Sequence, residues 1–213
     1  MRGTKAAGIL HTGAPGALRC VSVILAIAVG AASTAQAQAT ECDARQILAP
    51  GTCLGDDVDS LESRLADLIN DYRRQHGLSV VAISPALSAV ANRHARDLAM
   101  NLGKLSHDWS NCAMTDPTCM WSAPTKLGTG YTAAGYESVY AGETQDPARI
   151  LTTWREKGNG PHNDVLLNLR SWSRFEWRAL GIGIYKGYAV MWVGAEADTG
   201  QGGRGSGAMI PKP

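Results

Sequence analysis

The chain has 213 residues, 45% of them hydrophobic and 18% charged, with a formal net charge of +1. That balance excludes a strongly basic nucleic-acid surface or a cationic membrane binder, while the length suffices for one domain with a proper core. A single Phe against six Trp and six Tyr leaves the packing to amphipathic aromatics, whose polar tips need partners or water.

Arg2, Lys5 and Arg19 make a basic start with no acid, Val21 to Ala32 is a short apolar run, and Ala35-Gln36-Ala37 fits a small-x-small cleavage site. Together they predict a signal peptide over residues 1–37 and a mature start near Gln38. The run is short for a bilayer span and no later stretch approaches it. Cys20 follows Arg19, without the small-residue setting of a lipoprotein signal. The expectation is an exported protein, periplasmic or secreted, that does not span the membrane. Without the three basic residues of the leader, 17 basic residues face 19 acidic ones, a net of −2.

Four cysteines remain in the mature chain: Cys42, Cys53, Cys112 and Cys119. In an exported protein an even count reads as disulfides. Three pairings are open. The local one, Cys42 with Cys53 and Cys112 with Cys119, is favoured because each bridge closes a short polar loop, stabilising by roughly 2–4 kcal/mol. A four-cysteine zinc site is the alternative, and the lack of any C-x-x-C pair argues against it.

Residues 38–58 read as a polar extension with a turn at Pro50-Gly51. Asp59 then opens a helix, with Glu62 three residues on in the manner of a capping box. Leu61, Leu65, Leu68, Ile69 and Tyr72 recur at helical spacing, and Gly77 ends the helix. Leu78 to Ile83 is a short apolar link. Ser84-Pro85 starts a second helix, the serine capping and the proline losing no needed hydrogen bond. Leu87, Val90, Ala91, His94 and Leu98 share one face of it, and Gly103 ends it. His94 on that buried stripe reads first as a satisfied core histidine.

Lys104 to Asp108 leaves the helix and delivers His107. Residues 109–135 read as irregular. Asp146-Pro147 starts a third helix by the same cap-plus-proline logic, with Ile150, Leu151 and Trp154 on its inner face, and the break from Gly158 to Pro161 presents His162. Glu137 and His162 flank this helix, so the chain can bring both to one end of it. Ala179–Tyr185 and Tyr188–Ala195 read as strands joined by the tight turn Lys186-Gly187. Gly181 and Gly183 alternate with Ile182 and Ile184, which predicts a strand pressed closely on its glycine face. Helices first and a hairpin last give an α+β layered domain. Residues 199–213 are Gly-rich and expected to be disordered.

Read together, these segments resemble the CAP superfamily of plant pathogenesis-related proteins, animal cysteine-rich secretory proteins and insect venom antigens. SPALSAVANRHARDLAMNLGKLSH is similar to its serine-started helix with an A-x-x-x-A core and a histidine beyond. GYESVYAG resembles its G-E-N segment, with Tyr136 and Ser138 in place of the Gly and Asn. LTTWREKGNGPHNDVLLN resembles the bacterial W…H-x-x-(I/L)-L run, and ALGIGIYKGYAVMWVGAEA the closing L-G-(V/I)-G strand and its successor. The likeness spans residues 59–198.

The resemblance implies a three-layer α–β–α sandwich with a central cleft lined by His107, Glu137 and His162, a set that holds a divalent metal, often zinc, in many members. The family's second glutamate falls in eukaryotic members where this chain has Lys157, and Glu156, one residue earlier, is its shifted candidate. Two imidazoles and a carboxylate make a three-ligand zinc site with water in the fourth position, or, without metal, a general acid–base set. The plain alternative is that His107 and Glu137 only bond one another and tie loops to the sheet. The chain contains no G-x-S-x-G and no H-E-x-x-H. No catalytic residue is therefore assigned, and the expectation is a secreted module binding a lipid, sterol or protein partner, with Trp109, Trp121, Trp172 and Trp177 as available aromatics. A metal-dependent hydrolase using the same cleft is the alternative.

Overall fold

Ser84 sets the frame of the structure, a computed structural model that describes residues 41–156 and 161–200. Its hydroxyl accepts from the amide of Leu87 at 3.0 Å and donates to Asp198 at 2.5 Å, and helix α2, Pro85–Asp97, runs from that cap through the middle of the domain. Every residue of α2 after Pro85 is buried. A wide turn, Leu98–Leu102, continues it to Gly103, whose left-handed conformation (φ 64°) ends the element as a glycine does best.

The sheet has four strands in the order β1-β3-β4-β2, with β1 at Ala82–Ile83, β2 at Gly135–Ala141, β3 at Ala179–Tyr185 and β4 at Tyr188–Gly194. The hairpin β3–β4 turns at Lys186 and Gly187, both at positive φ (45° and 84°), the requirement of a turn that matches strand twist. β2 lies antiparallel to β4 along its whole length, Gly135 opposite Gly194 through Ala141 opposite Tyr188. β1 is two residues long and runs parallel to β3.

On one face lies α2. A Cβ on Gly181 would overlap the carbonyl group of Leu87, and one on Gly183 that of Ala91. The two glycines therefore let the helix backbone sit directly on β3, the close approach their alternation predicts. Leu87, Val90, Ala91, Ala95 and Leu98 meet Val139, Ala179, Val190 and Trp192 in this layer. On the other face α1 (Ser60–Gln75), α4 (Pro147–Arg155) and α5 (His162–Leu166) bury Leu65, Ile69, Ile150, Trp154 and Leu166 against Ile182, Ile184, Met191 and Val193. The α+β class and the α–β–α layering are both present.

The Asp59–Glu62 capping box forms, with both reciprocal bonds at 2.9 Å. Glu62 is fully buried, and its carboxylate also takes the amide of Ile184 at 3.1 Å, tying the start of α1 to β3. Two of the buried indoles find the partner their chemistry calls for: Trp154 Nε1 donates to Val139 O at 3.1 Å and Trp177 Nε1 to Val165 O at 2.7 Å, whereas Trp192 Nε1 is buried without one.

Residues 41–58 are fastened to the outer side of α2. Arg93, fully buried, donates through Nε and Nη2 to both oxygens of Asp56 at 2.8 Å, and to the carbonyls of Ala49 (2.8 Å) and Gly51 (2.9 Å). Cys42 pairs with Cys53 and Cys112 with Cys119, with Cα separations of 5.3 and 5.9 Å. The segment read as irregular from 109 to 135 contains a five-residue helix, α3 (Ala123–Leu127), and ends in the first residue of β2. The expected leader, Lys157 and residues 201–213 of the Gly-rich tail lie outside the described residues.

Candidate functional site

Four side chains meet at the β2 edge of the sheet. Glu137 stands on β2, its carboxylate 1% exposed. His107 comes from the loop after α2, and its Nδ1 lies 2.8 Å from Glu137 Oε2. His162 opens α5, with its ring centre 6.5 Å from that of His107. The fourth, His94, lies on α2 with its Nδ1 against Glu137 Oε1 and its Nε2 3.1 Å from the carbonyl of Asp108. Trp109 stacks on the His94 ring, 4.4 Å between centres and 19° from parallel. The sharp turn between Trp109 and Cys112, which exchange backbone bonds at 2.9 and 3.1 Å, holds that indole in place.

The electrostatics follow from burial and contact. Burial pulls His94 towards the neutral form, but the charge and hydrogen bond of Glu137, with the Asp108 carbonyl, outweigh it and raise its pKa above the ordinary value. Burial likewise opposes ionisation of Glu137, yet His94 and the hydrogen bond from His107 hold its pKa below the ordinary value. His162 moves the other way: burial, then repulsion by His107, lower its pKa and favour the neutral, ligand-competent ring. His162 Nδ1 is buried and has no hydrogen-bond partner.

Of the residues expected in the site, His107 and Glu137 are in direct contact and His162 is adjacent. Glu156 is not part of it. It follows the last turn of α4, is half exposed, and faces Arg149 across a surface ion pair of 3.7 Å. His94 is satisfied as a buried histidine must be, but its partner is the site's own glutamate. Sequence reading missed this because the two residues are 43 positions apart. The only hint was an imidazole on a buried stripe, which demands an acceptor from somewhere.

The donor set suits a divalent metal in kind. Glu137 accepts from His107 Nδ1, the arrangement by which a carboxylate orients an imidazole and leaves Nε2 for a metal, and the unpartnered Nδ1 of His162 is a second donor. The ligand atoms of His107, Glu137 and His162 do not all come within 4.8 Å of one another. Among the described residues only Cys112, Asp116 and Cys119 cluster that closely, and the disulfide uses both sulfurs. A hollow of about 210 Å³ lies elsewhere, bounded by Gly130–Ala133 and Glu196–Thr199. Beside Glu137 in sequence, Tyr136 leads into an aromatic group with Trp172, Phe175 and Trp177, whose ring centres lie 5.0 to 5.9 Å apart.

A helix–sheet–helix sandwich with a histidine–glutamate group at one sheet edge defines the class. The chain belongs to the cysteine-rich secretory protein (CAP) family, whose model matches residues 66–193. Among solved structures it is similar to an extracellular protein of Bacillus anthracis containing an SCP domain, at 20% identity and a TM-score of 0.50, over 64% of this chain and 40% of that one. An outer surface protein of Borrelia burgdorferi matches at 17% identity and a TM-score of 0.48, over 66% of this chain and 98% of its own. A cysteine-rich secretory protein of Staphylococcus aureus matches at 13% and 0.46, over 64% and 38%. This chain thus spans less than half of the Bacillus protein. A search of curated proteins by sequence returns no match. No helix among the described residues is long and apolar enough to cross a membrane.

Proposed function

We propose that the chain is an exported CAP-domain binding module. Its edge site takes a divalent metal, zinc by the chemistry of its donors, through His107 Nε2 and His162 Nδ1, with Glu137 orienting His107. The observation that carries this reading is the unpartnered, buried Nδ1 of His162 beside an imidazole whose other nitrogen is already taken by a carboxylate. A bound metal would supply a positive centre for an anionic or carbonyl group of a ligand. The half-buried rings of Tyr136, Trp172 and Phe175, packed against the buried Trp177, offer the apolar surface that a lipid or sterol ligand needs. The disulfides and the extracellular setting named for the Bacillus anthracis relative support export.

The reading stays at binding. Ser106 Oγ accepts from Asp108 N at 2.9 Å, and His107 Nδ1 faces Glu137, so these two neighbours do not form a nucleophile–base pair. Metal analysis of the mature protein after dialysis against zinc tests the proposal. Near-stoichiometric zinc that is lost in His107→Ala and in His162→Ala is the expected result. Loss of tenfold or more in affinity, short of abolition, is expected for Glu137→Gln, the usual effect of removing a carboxylate behind a ligating histidine, roughly 10–100-fold. Zinc retained in His162→Ala overturns the assignment.

A further inference from the structure

The hydrogen bonds around His94 say more than that it is buried. Its Nε2 faces only the carbonyl of Asp108, which accepts and cannot donate, so that nitrogen carries a proton. Its Nδ1 faces Glu137 Oε1, and a proton lies between them. Either His94 is an imidazolium against a carboxylate, or it is neutral against a carboxylic acid. Two contacts choose. The indole face of Trp109, 4.4 Å away and nearly parallel, favours a cation over a neutral ring. The second oxygen of Glu137 takes His107 Nδ1, a bond that a carboxylate accepts more strongly than an acid does.

We propose that His94 is a positioning residue of the site: doubly protonated, it pins one oxygen of Glu137 so that the other takes the Nδ1–H of His107 and turns His107 Nε2 to the cleft. The chain of contact runs from the Asp108 carbonyl through His94 and Glu137 to His107, and each link accounts for one donor and one acceptor. Free imidazole favours the opposite tautomer, with its proton on Nε2, so the orientation of His107 is imposed by this chain. Trp109 closes it from above, which gives the loop leading to Cys112–Cys119 a part in the site that the ligands alone do not show. The inference deepens the binding reading, since it states which nitrogen the cleft offers.

Ring-nitrogen NMR of the ¹⁵N-histidine-labelled mature protein at neutral pH, without added metal, tests it. In the wild type His94 is expected to show two protonated nitrogens, and His107 a protonated Nδ1. A neutral His94, or a His107 without a proton on Nδ1, overturns the proposal. In His94→Phe, which keeps a ring against Trp109 but removes both donors, His107 should lose its single tautomer. An unchanged His107 in the folded variant overturns the proposal. If that variant does not fold, Glu137→Gln, nearly isosteric, decides: His94 should give up one proton, and a His94 that keeps both refutes the pairing. Because no metal is added, a failure here leaves the zinc measurement to stand or fall by itself, and a chain that takes up no zinc leaves this result intact.

Discussion

Helix α2 has two unlike faces, and they do different work. One is apolar and lies on the glycines of β3, backbone against backbone. The other is polar and just as buried: Arg93 fastens residues 41–58, Asp97 accepts from Ser110 N at 2.7 Å and Ser110 Oγ at 2.5 Å, and His94, at the border with the apolar face, holds Glu137. The first face fixes where the helix sits. The second fixes what sits around it, by charge-assisted bonds to three separate stretches of chain. Close packing here needs only small residues in register, whereas the polar face needs each buried charge matched.

The comparison breaks hardest at Arg93. Arg93→Ala leaves the Asp56 carboxylate buried without its guanidinium and frees the carbonyls of Ala49 and Gly51, so a loss of about 3–5 kcal/mol is expected, read by urea unfolding. Limited proteolysis should cut first within residues 41–58. A loss below about 1 kcal/mol would make the polar face decorative. On the apolar face, Gly183→Ala drives a Cβ into the Ala91 carbonyl of a helix that has no room to retreat, at a cost of about 1–3 kcal/mol or more. A neutral Gly183→Ala would show that the helix can lift from β3.

Acidity sharpens the contrast, because only the polar face should respond to it. The folded pKa of Glu137 is lowered, so its contribution is present above the unfolded glutamate value, about 4.3, and is lost as the pH falls through the folded one. The folded pKa of His94 is raised, so its contribution is full below the unfolded histidine value, about 6.5, and is lost as the pH rises through the folded one. Their combined support is therefore greatest between the two unfolded values. His162 has a lowered pKa and so costs stability as the pH falls below about 6.5. Thermal melts of the wild type and Glu137→Gln, carried from this range down below the folded value of Glu137, should converge at the acid end; parallel curves would contradict the pairing. The smallest effect belongs to the surface: Glu156→Ala removes only the 3.7 Å pair with Arg149, and a change of about 0–1 kcal/mol in stability with no change in zinc uptake is expected.

The two faces also differ in how plainly the sequence announces them. The cap-plus-proline starts at Ser84-Pro85 and Asp146-Pro147, the Asp59–Glu62 box and the Gly181/Gly183 alternation are local signals, and each corresponds to an element of the structure. β2 was harder to see. Its Glu137 and Ser138 side chains are buried, so the strand lacks the polar–apolar alternation that marks a half-exposed one. The five residues of α3 are too few to show a period. Within the site, His107 and His162 stand out because a loop and a helix start present them, and Glu137 through the likeness of its segment to the family's G-E-N. His94 was hidden because its partner lies on another element, and no pattern confined to α2 can name it. Glu156 was drawn into the site by distance along the chain from Trp154, whereas the surface of α4 turns it towards Arg149.

The pairing of β2 with β4 sets Glu137 opposite Trp192. Successive side chains on a strand point to opposite layers, so insertion or deletion of a single residue within Gly135–Ala141 would turn the carboxylate towards the Ile150–Trp154 layer and leave both His94 and His107 facing no acid. The segment can change length without losing the site only by two residues at a time, whereas the loops on either side are under no such restriction. Descendants of this gene should therefore carry their length variation in the stretch before Gly135 and after Gly142, and almost none between.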